Sequence, residues 1–175
     1  FQQMGFGGVN IHSRTGLDTE YLGNEFMQLV RACTDRLRER KMLGWLYDED
    51  RWPSGFAGGL VTEDPRHRAR HILFTPIPYG QAGPVPQFTD YGLGSRSENR
   101  ELIARFAIEL KDGRLKRYTC LKEGEKPPRR AIVWYAYFES ARQSTWFGGK
   151  TYVDVFSRAA IKRFIETTHD RYRDT

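Results

Sequence analysis

No apolar run in this sequence approaches the roughly 20 residues that a membrane-crossing helix needs, so no such helix is expected. Cysteine is scarce: Cys33 and Cys120 are the only two. Two thiols far apart make no disulfide framework, and neither sits at a metal-ligand spacing. Both are expected to be buried or incidental, and no metal site is assigned. There is no block of like charge either. The formal net charge is +6, but the basic residues are scattered, with Arg36, Arg38, Arg40 and Lys41 in one place and Arg114, Lys116 and Arg117 in another. No nucleic-acid motif accompanies them, so solvated helix and strand faces account for the charge and no nucleic-acid partner is expected. The opening Phe1-Gln2-Gln3-Met4-Gly5 lacks an initiator Met and a signal pattern, and looks like a helix end capped by Gly5. The natural start is therefore expected to lie upstream, and the compartment is left open.

What is present suits one ordinary folded domain. The chain has 175 residues, 39% of them apolar and 29% charged, a composition outside the disordered and membrane classes. Val9 and Ile11 alternate with Asn10 and His12, which predicts a strand over residues 7–13. Phe26, Leu29, Val30, Cys33 and Leu37 then recur on one helical face, with Asn24 as the expected N-cap. Leu43 to Tyr47 forms a second strand. Strand, helix and strand in this order make a βαβ unit, whose two strands should be parallel neighbours.

From Pro65 to about residue 95 the chain is broken into turns and short extended pieces by Pro76, Pro78, Pro84, Pro86, Gly80, Gly83, Gly92 and Gly94. Period-two alternation from Leu102 to Leu110, the turn pair Asp112-Gly113 and a return over residues 115–121 predict a β-hairpin. Ala131 to Phe138 is a further strand. Ser157 should cap a final helix in which Ile161, Phe164, Ile165 and Tyr172 share a face.

Three places carry candidate chemistry. Asn10, His12 and Arg14 form a polar row on a strand that should have both faces covered, so the row needs a wet or functional place to point. Asp48, Glu49 and Asp50 end the second strand, with Arg51 and Trp52 beside them. Successive carboxylates repel, and an arginine, a metal or sugar hydroxyls would justify the arrangement. Trp52 offers an apolar face to a sugar ring. Trp146, Phe147 and Tyr152, in a Gly-rich loop, are candidates for lining a cleft. His67 and His71 have i, i+4 spacing, but Arg66, Arg68 and Arg70 crowd them with positive charge and disfavour a cation. Trp134, Tyr135, Tyr137 and Phe138 are read as strand core.

The segments His12-Ser13-Arg14-Thr15-Gly16-Leu17, Tyr21-Leu22 and Trp45 through Gly59 resemble the α-L-rhamnosidases of glycoside hydrolase family 106 and their relatives. Thr145 to Asp154 fits the same pattern. The resemblance implies an α/β fold, a partial (β/α)8 barrel with an antiparallel β-rich insertion. Residues 1–70 would be the βαβ barrel segment with the active-site loop, 71–150 the insertion and 151–175 a return to the outer helix. It implies hydrolysis of a glycosidic bond by a carboxylate pair drawn from Asp48, Glu49 and Asp50. Asn10, His12, Arg14, Arg51, Trp52, Trp146 and Tyr152 would then bind the sugar. Further barrel strands would be supplied by the rest of the barrel or by an oligomeric partner. No cofactor is assigned, although clustered carboxylates would suit calcium. The alternative is a non-catalytic carbohydrate-binding or assembly module.

Overall fold

A computed structural model describes residues 1–14, 16–79, 100–173 and 175. The chain forms two compact units, Phe1–Arg68 with Gln143–Thr175, and Ala69–Arg142.

The first unit begins with strand β1 (Gly8–Ile11), helix α1 (Asn24–Glu39) and strand β2 (Leu43–Leu46). β1 and β2 are parallel, with Gly8 opposite Leu43 and Ile11 opposite Leu46. This is the βαβ unit that the apolar periodicity predicts. The helix start differs from expectation: Gly23, in an extended conformation, occupies the cap position and no side chain caps the helix. Asn24 is already its first residue.

The same unit closes with α2 (Arg158–Thr167) and α3 (His169–Arg173). Ser157 caps α2 by accepting a hydrogen bond from the Ala160 amide, as its position predicts. The single helix expected here is broken at Thr168, whose hydroxyl donates to the Phe164 carbonyl at 2.7 Å. Leu22, Phe26 and Val30 from the α1 side, Phe56, Ala57 and Val61 from the loop after β2, and Phe147, Val153, Ala160 and Phe164 from the C-terminal part form one apolar core. Phe56 is completely buried, and burial of a Phe side chain contributes about 1.5–3 kcal/mol. The loop that carries the candidate carboxylates is thus anchored in the core.

The second unit is an antiparallel sheet of β3 (Arg70–Thr75), β4 (Arg100–Lys111), β5 (Arg114–Leu121) and β6 (Ile132–Ser140), in the order β3-β6-β4-β5. Asp112 and Gly113 both have positive φ, 52° and 72°, the geometry of a two-residue hairpin turn that favours this pair. β3 falls in the stretch expected to be turns and short extended pieces, and the sequence did not mark it as a strand of the sheet. Its residues pair with β6 from Arg70–Ser140 to Thr75–Tyr135. The turns expected at Gly80, Gly83, Pro84, Pro86, Gly92 and Gly94 lie outside the described residues.

The fold is not the (β/α)8 barrel implied by the resemblance. Among the described residues the parallel sheet is one pair of four-residue strands, and the larger sheet is wholly antiparallel. Strand residues outnumber α-helical ones. Every strand of a barrel must be reached through a crossover, and β1–α1–β2 is the one such unit among the described residues. Both cysteines are exposed, not buried. No helix among the described residues is long and apolar enough to cross a membrane.

Candidate functional site

The segment after β2 turns on a buried acid. Glu49 is fully buried, and its two carboxylate oxygens accept five backbone hydrogen bonds. Oε2 receives the amides of Gly55, Phe56 and Ala57 at 3.1, 3.1 and 2.6 Å. Oε1 receives those of Gly58 and Asp50 at 2.7 and 3.0 Å. Consecutive amides converge because the chain coils tightly here, with Ala57 and Gly58 at φ 50° and 62°. Such a nest of N–H groups is an anion-binding concavity, and this chain fills it with its own side chain. Burial pushes the Glu49 carboxyl up to about 8, aided by its hydrogen bond with the Asp50 carboxyl and opposed by the amides of Gly58, Ala57 and Asp50.

Its two acidic neighbours make further contacts. Asp48 accepts the Ser54 hydroxyl at 2.7 Å on one oxygen, and its other oxygen lies 3.3 Å from His169 Nε2. It thereby ties the loop to α3. Asp50 lies 3.5 Å from the Arg51 guanidinium through Oδ2, while its Oδ1 is buried without a hydrogen-bond donor.

A cleft of about 590 Å³ opens beside this loop, lined by His12, Arg14, Tyr47, Asp50, Arg51, Trp52, Thr145 and Trp146. The end of β1 supplies His12 and Arg14, the end of β2 supplies Tyr47, the Glu49 loop supplies Asp50 to Trp52, and the turn Thr145–Phe147 supplies the rest. His12 meets Tyr47 edge to face at 4.1 Å. Partial burial and the Arg14 charge hold its imidazole below the ordinary value, so the neutral form is favoured. The indole N–H of Trp146 donates to the Trp52 carbonyl at 2.7 Å. Trp52 is 67% and Trp146 44% exposed, and an indole left in solvent at a cleft is a surface waiting for an apolar face.

The cleft therefore unites His12, Arg14, Asp50, Arg51, Trp52 and Trp146 from three separate stretches of sequence. Four other candidates fall outside it. Asn10 is exposed on β1, opposite Trp45. Asp48 and Glu49 are committed to the loop's own structure. Tyr152 donates its hydroxyl to the Ser54 carbonyl at 3.0 Å and stacks on Phe147 at 5.3 Å, so it braces the cleft from behind. Tyr47 and Thr145 are lining residues that the sequence did not single out. His169 is a further contributor, 121 positions from Asp48, and no local pattern could have joined them.

His67 and His71 do not share a helix. His67 closes a 3-10 turn with Nδ1 3.1 Å from the Val61 carbonyl, and His71 is on β3 beside Glu139. No group of His, Cys, Asp and Glu suited to a metal ion is found among the described residues. In the second unit the strand aromatics divide by face. Trp134 joins Phe74, 4.9 Å away, on a partly exposed row, while Tyr137 is buried and Tyr135 stacks beside it at 6.2 Å.

No family model, curated protein or solved structure matches this chain.

Proposed function

We propose that this chain binds carbohydrate in the cleft between Trp52 and Trp146. The observation that carries the reading is the combination of two exposed indoles with Arg14, Arg51, Asp50 and Thr145 around one open cavity. Aromatic faces stack on the apolar faces of sugar rings, while forked guanidinium groups and a carboxyl fix hydroxyl positions.

Glycosidic cleavage makes a further demand: two carboxyl groups must flank the bond, about 5–9.5 Å apart. Asp50 is the one carboxyl that lines the cleft among the described residues. Binding is therefore the reading that the geometry supports best. Glycoside hydrolysis is the second reading, favoured by the presence of Asp50 in the wall, and it would need another carboxyl opposite. A panel of glycans titrated into the whole chain, followed by amide chemical shifts and by product release, separates the two. Shifts confined to the cleft without product support a binding role. Product that disappears in Asp50→Ala supports hydrolysis. No shift with any glycan would overturn both.

A further inference from the structure

A second, smaller cavity of about 190 Å³ lies within the first unit and shares no lining residue with the Trp52–Trp146 cleft. Two stretches of chain wall it. Gly59, Thr62, Glu63 and Arg68 follow the Glu49 loop, while Gln143, Lys150 and Thr151 belong to the segment that carries Trp146. Thr151 is 4% exposed, and its hydroxyl is buried with no hydrogen-bond partner. A buried polar group in that state is costly unless something arrives to pair with it. Thr62 is equally buried but spends its hydroxyl proton on the Thr151 carbonyl at 3.0 Å.

Arg68 and Lys150 bring positive charge to this cavity, and neither has a carboxylate partner among the described residues. The Arg68 guanidinium donates through Nε to the Thr62 carbonyl at 2.8 Å and through Nη2 to the Glu63 carbonyl at 3.3 Å. Those bonds fix its plane and leave the remaining N–H groups of the fork for a ligand. The stem of Lys150 runs along Gly59, where a Cβ would come within 2.7, 2.9 and 3.1 Å of its Cγ, Cδ and Cε. Gly59 has φ 102°, a conformation that favours glycine, so the backbone there both permits and confines the lysine. Glu63 adds one exposed carboxylate, and the lining keeps a single net positive charge.

We propose that this cavity binds a phosphate group, as the free ion or as the end of a small phosphate ester. A guanidinium fork, an ammonium, the Gln143 carboxamide and the Thr151 hydroxyl offer donors from separate parts of the wall. A tetrahedral anion can use them together, and charge-assisted bonds of this kind are the strong ones. Size sets the upper limit. At roughly 30 Å³ of liquid volume per water, the cavity holds one such ion and a few waters. It falls below the roughly 300 Å³ at which sites for larger ligands begin. A bound phosphate would join Arg68 to Lys150 and so tie the two stretches of chain together. The site does not depend on the carbohydrate reading.

The test titrates inorganic phosphate and methyl phosphate into the labelled whole chain at constant ionic strength, with chloride as the control anion, and follows amide shifts. The expected result is saturable shifts at Thr62, Gln143, Lys150 and Thr151 with phosphate and none with chloride. The melting temperature should rise with phosphate concentration. Tighter binding of the inorganic ion marks free phosphate as the ligand, and tighter binding of the ester marks a phosphoryl group on a larger molecule. Lys150→Gln, at an exposed position, should weaken phosphate by about tenfold. Thr151→Val exchanges a hydroxyl that has no partner for a methyl group. It should weaken phosphate several-fold without lowering the melting temperature of the free protein. No saturable shift at millimolar phosphate, or shifts spread over the basic surface and unchanged in Lys150→Gln, would overturn the site.

Discussion

The indole nitrogen of Trp146 reaches the backbone carbonyl of Trp52 at 2.7 Å across 94 positions of sequence. That bond fixes the turn Thr145–Phe147 against the Glu49 loop and sets the two rings on one cleft. Trp146→Phe keeps a ring but removes the donor. It should weaken glycan binding several-fold while the melting temperature changes little, because the residue is 44% exposed and surface changes away from the core usually cost under about 0.5 kcal/mol. Trp52→Ala should abolish the stacking contribution, with at least a tenfold loss of affinity, or about 1.4 kcal/mol. Calorimetric titration of the best glycan into each variant checks both.

Glu49 should matter more for stability than for ligand contact. Its carboxylate satisfies five backbone amides in a buried loop, so Glu49→Ala leaves several donors unpaired at about 1–3 kcal/mol each. Denaturant unfolding should show a loss of roughly 3 kcal/mol or more, which is within the range for a broken buried network. Glu49→Gln keeps one acceptor oxygen and should fall between the two. An unchanged midpoint in Glu49→Ala would remove the carboxylate from its structural role.

The same group sets a pH dependence of folding. Its folded value is raised from 4.5 to about 8, so the folded state binds a proton that the unfolded state has released. Stability is therefore fullest below pH 4.5 as far as this group is concerned, and declines as pH rises toward about 8. Unfolding free energy measured across that window should fall. In Asp50→Asn the carboxyl whose hydrogen bond helps burial to raise Glu49 is gone, and the slope should flatten.

His12 offers a check on the electrostatics of the cleft. Burial and Arg14 both lower its imidazole value. Proton NMR of the His12 ring should show titration below the ordinary range, and Arg14→Gln should move it upward by removing the charge but not the burial. A titration unchanged by that substitution would mean that Arg14 does not act on the ring.

The legibility of this molecule in its sequence followed the range of the interactions involved. α1 and its flanking parallel strands were readable because Phe26, Val30 and Leu37 impose a helical period on a short stretch. The β4–β5 hairpin was readable from Asp112-Gly113, where the turn chemistry is local. β3 was only faintly legible, as one short extended piece in a proline-broken stretch: Arg70 to Thr75 becomes a strand of the sheet through pairing with β6, some 65 positions away. At the site, Asp50, Arg51 and Trp52 announced themselves as neighbours of the acidic run. The roles within that run were not readable, because only the coil at Ala57 and Gly58 turns the amides onto Glu49 and leaves Asp50 to line the cleft. The barrel implied by resemblance failed on connectivity, since local words such as Trp52-Pro53-Ser54-Gly55 specify a loop and not the strands beyond it.

The account turns on carbohydrate occupying the Trp52–Trp146 cleft, and the most direct test is an amide-shift titration of the labelled whole chain with a panel of glycans. The account predicts saturable shifts at Arg14, Asp50, Trp52 and Trp146, absent in the Trp52→Ala, Trp146→Ala double variant. Saturable shifts elsewhere, or none with any glycan at millimolar concentration, would contradict it.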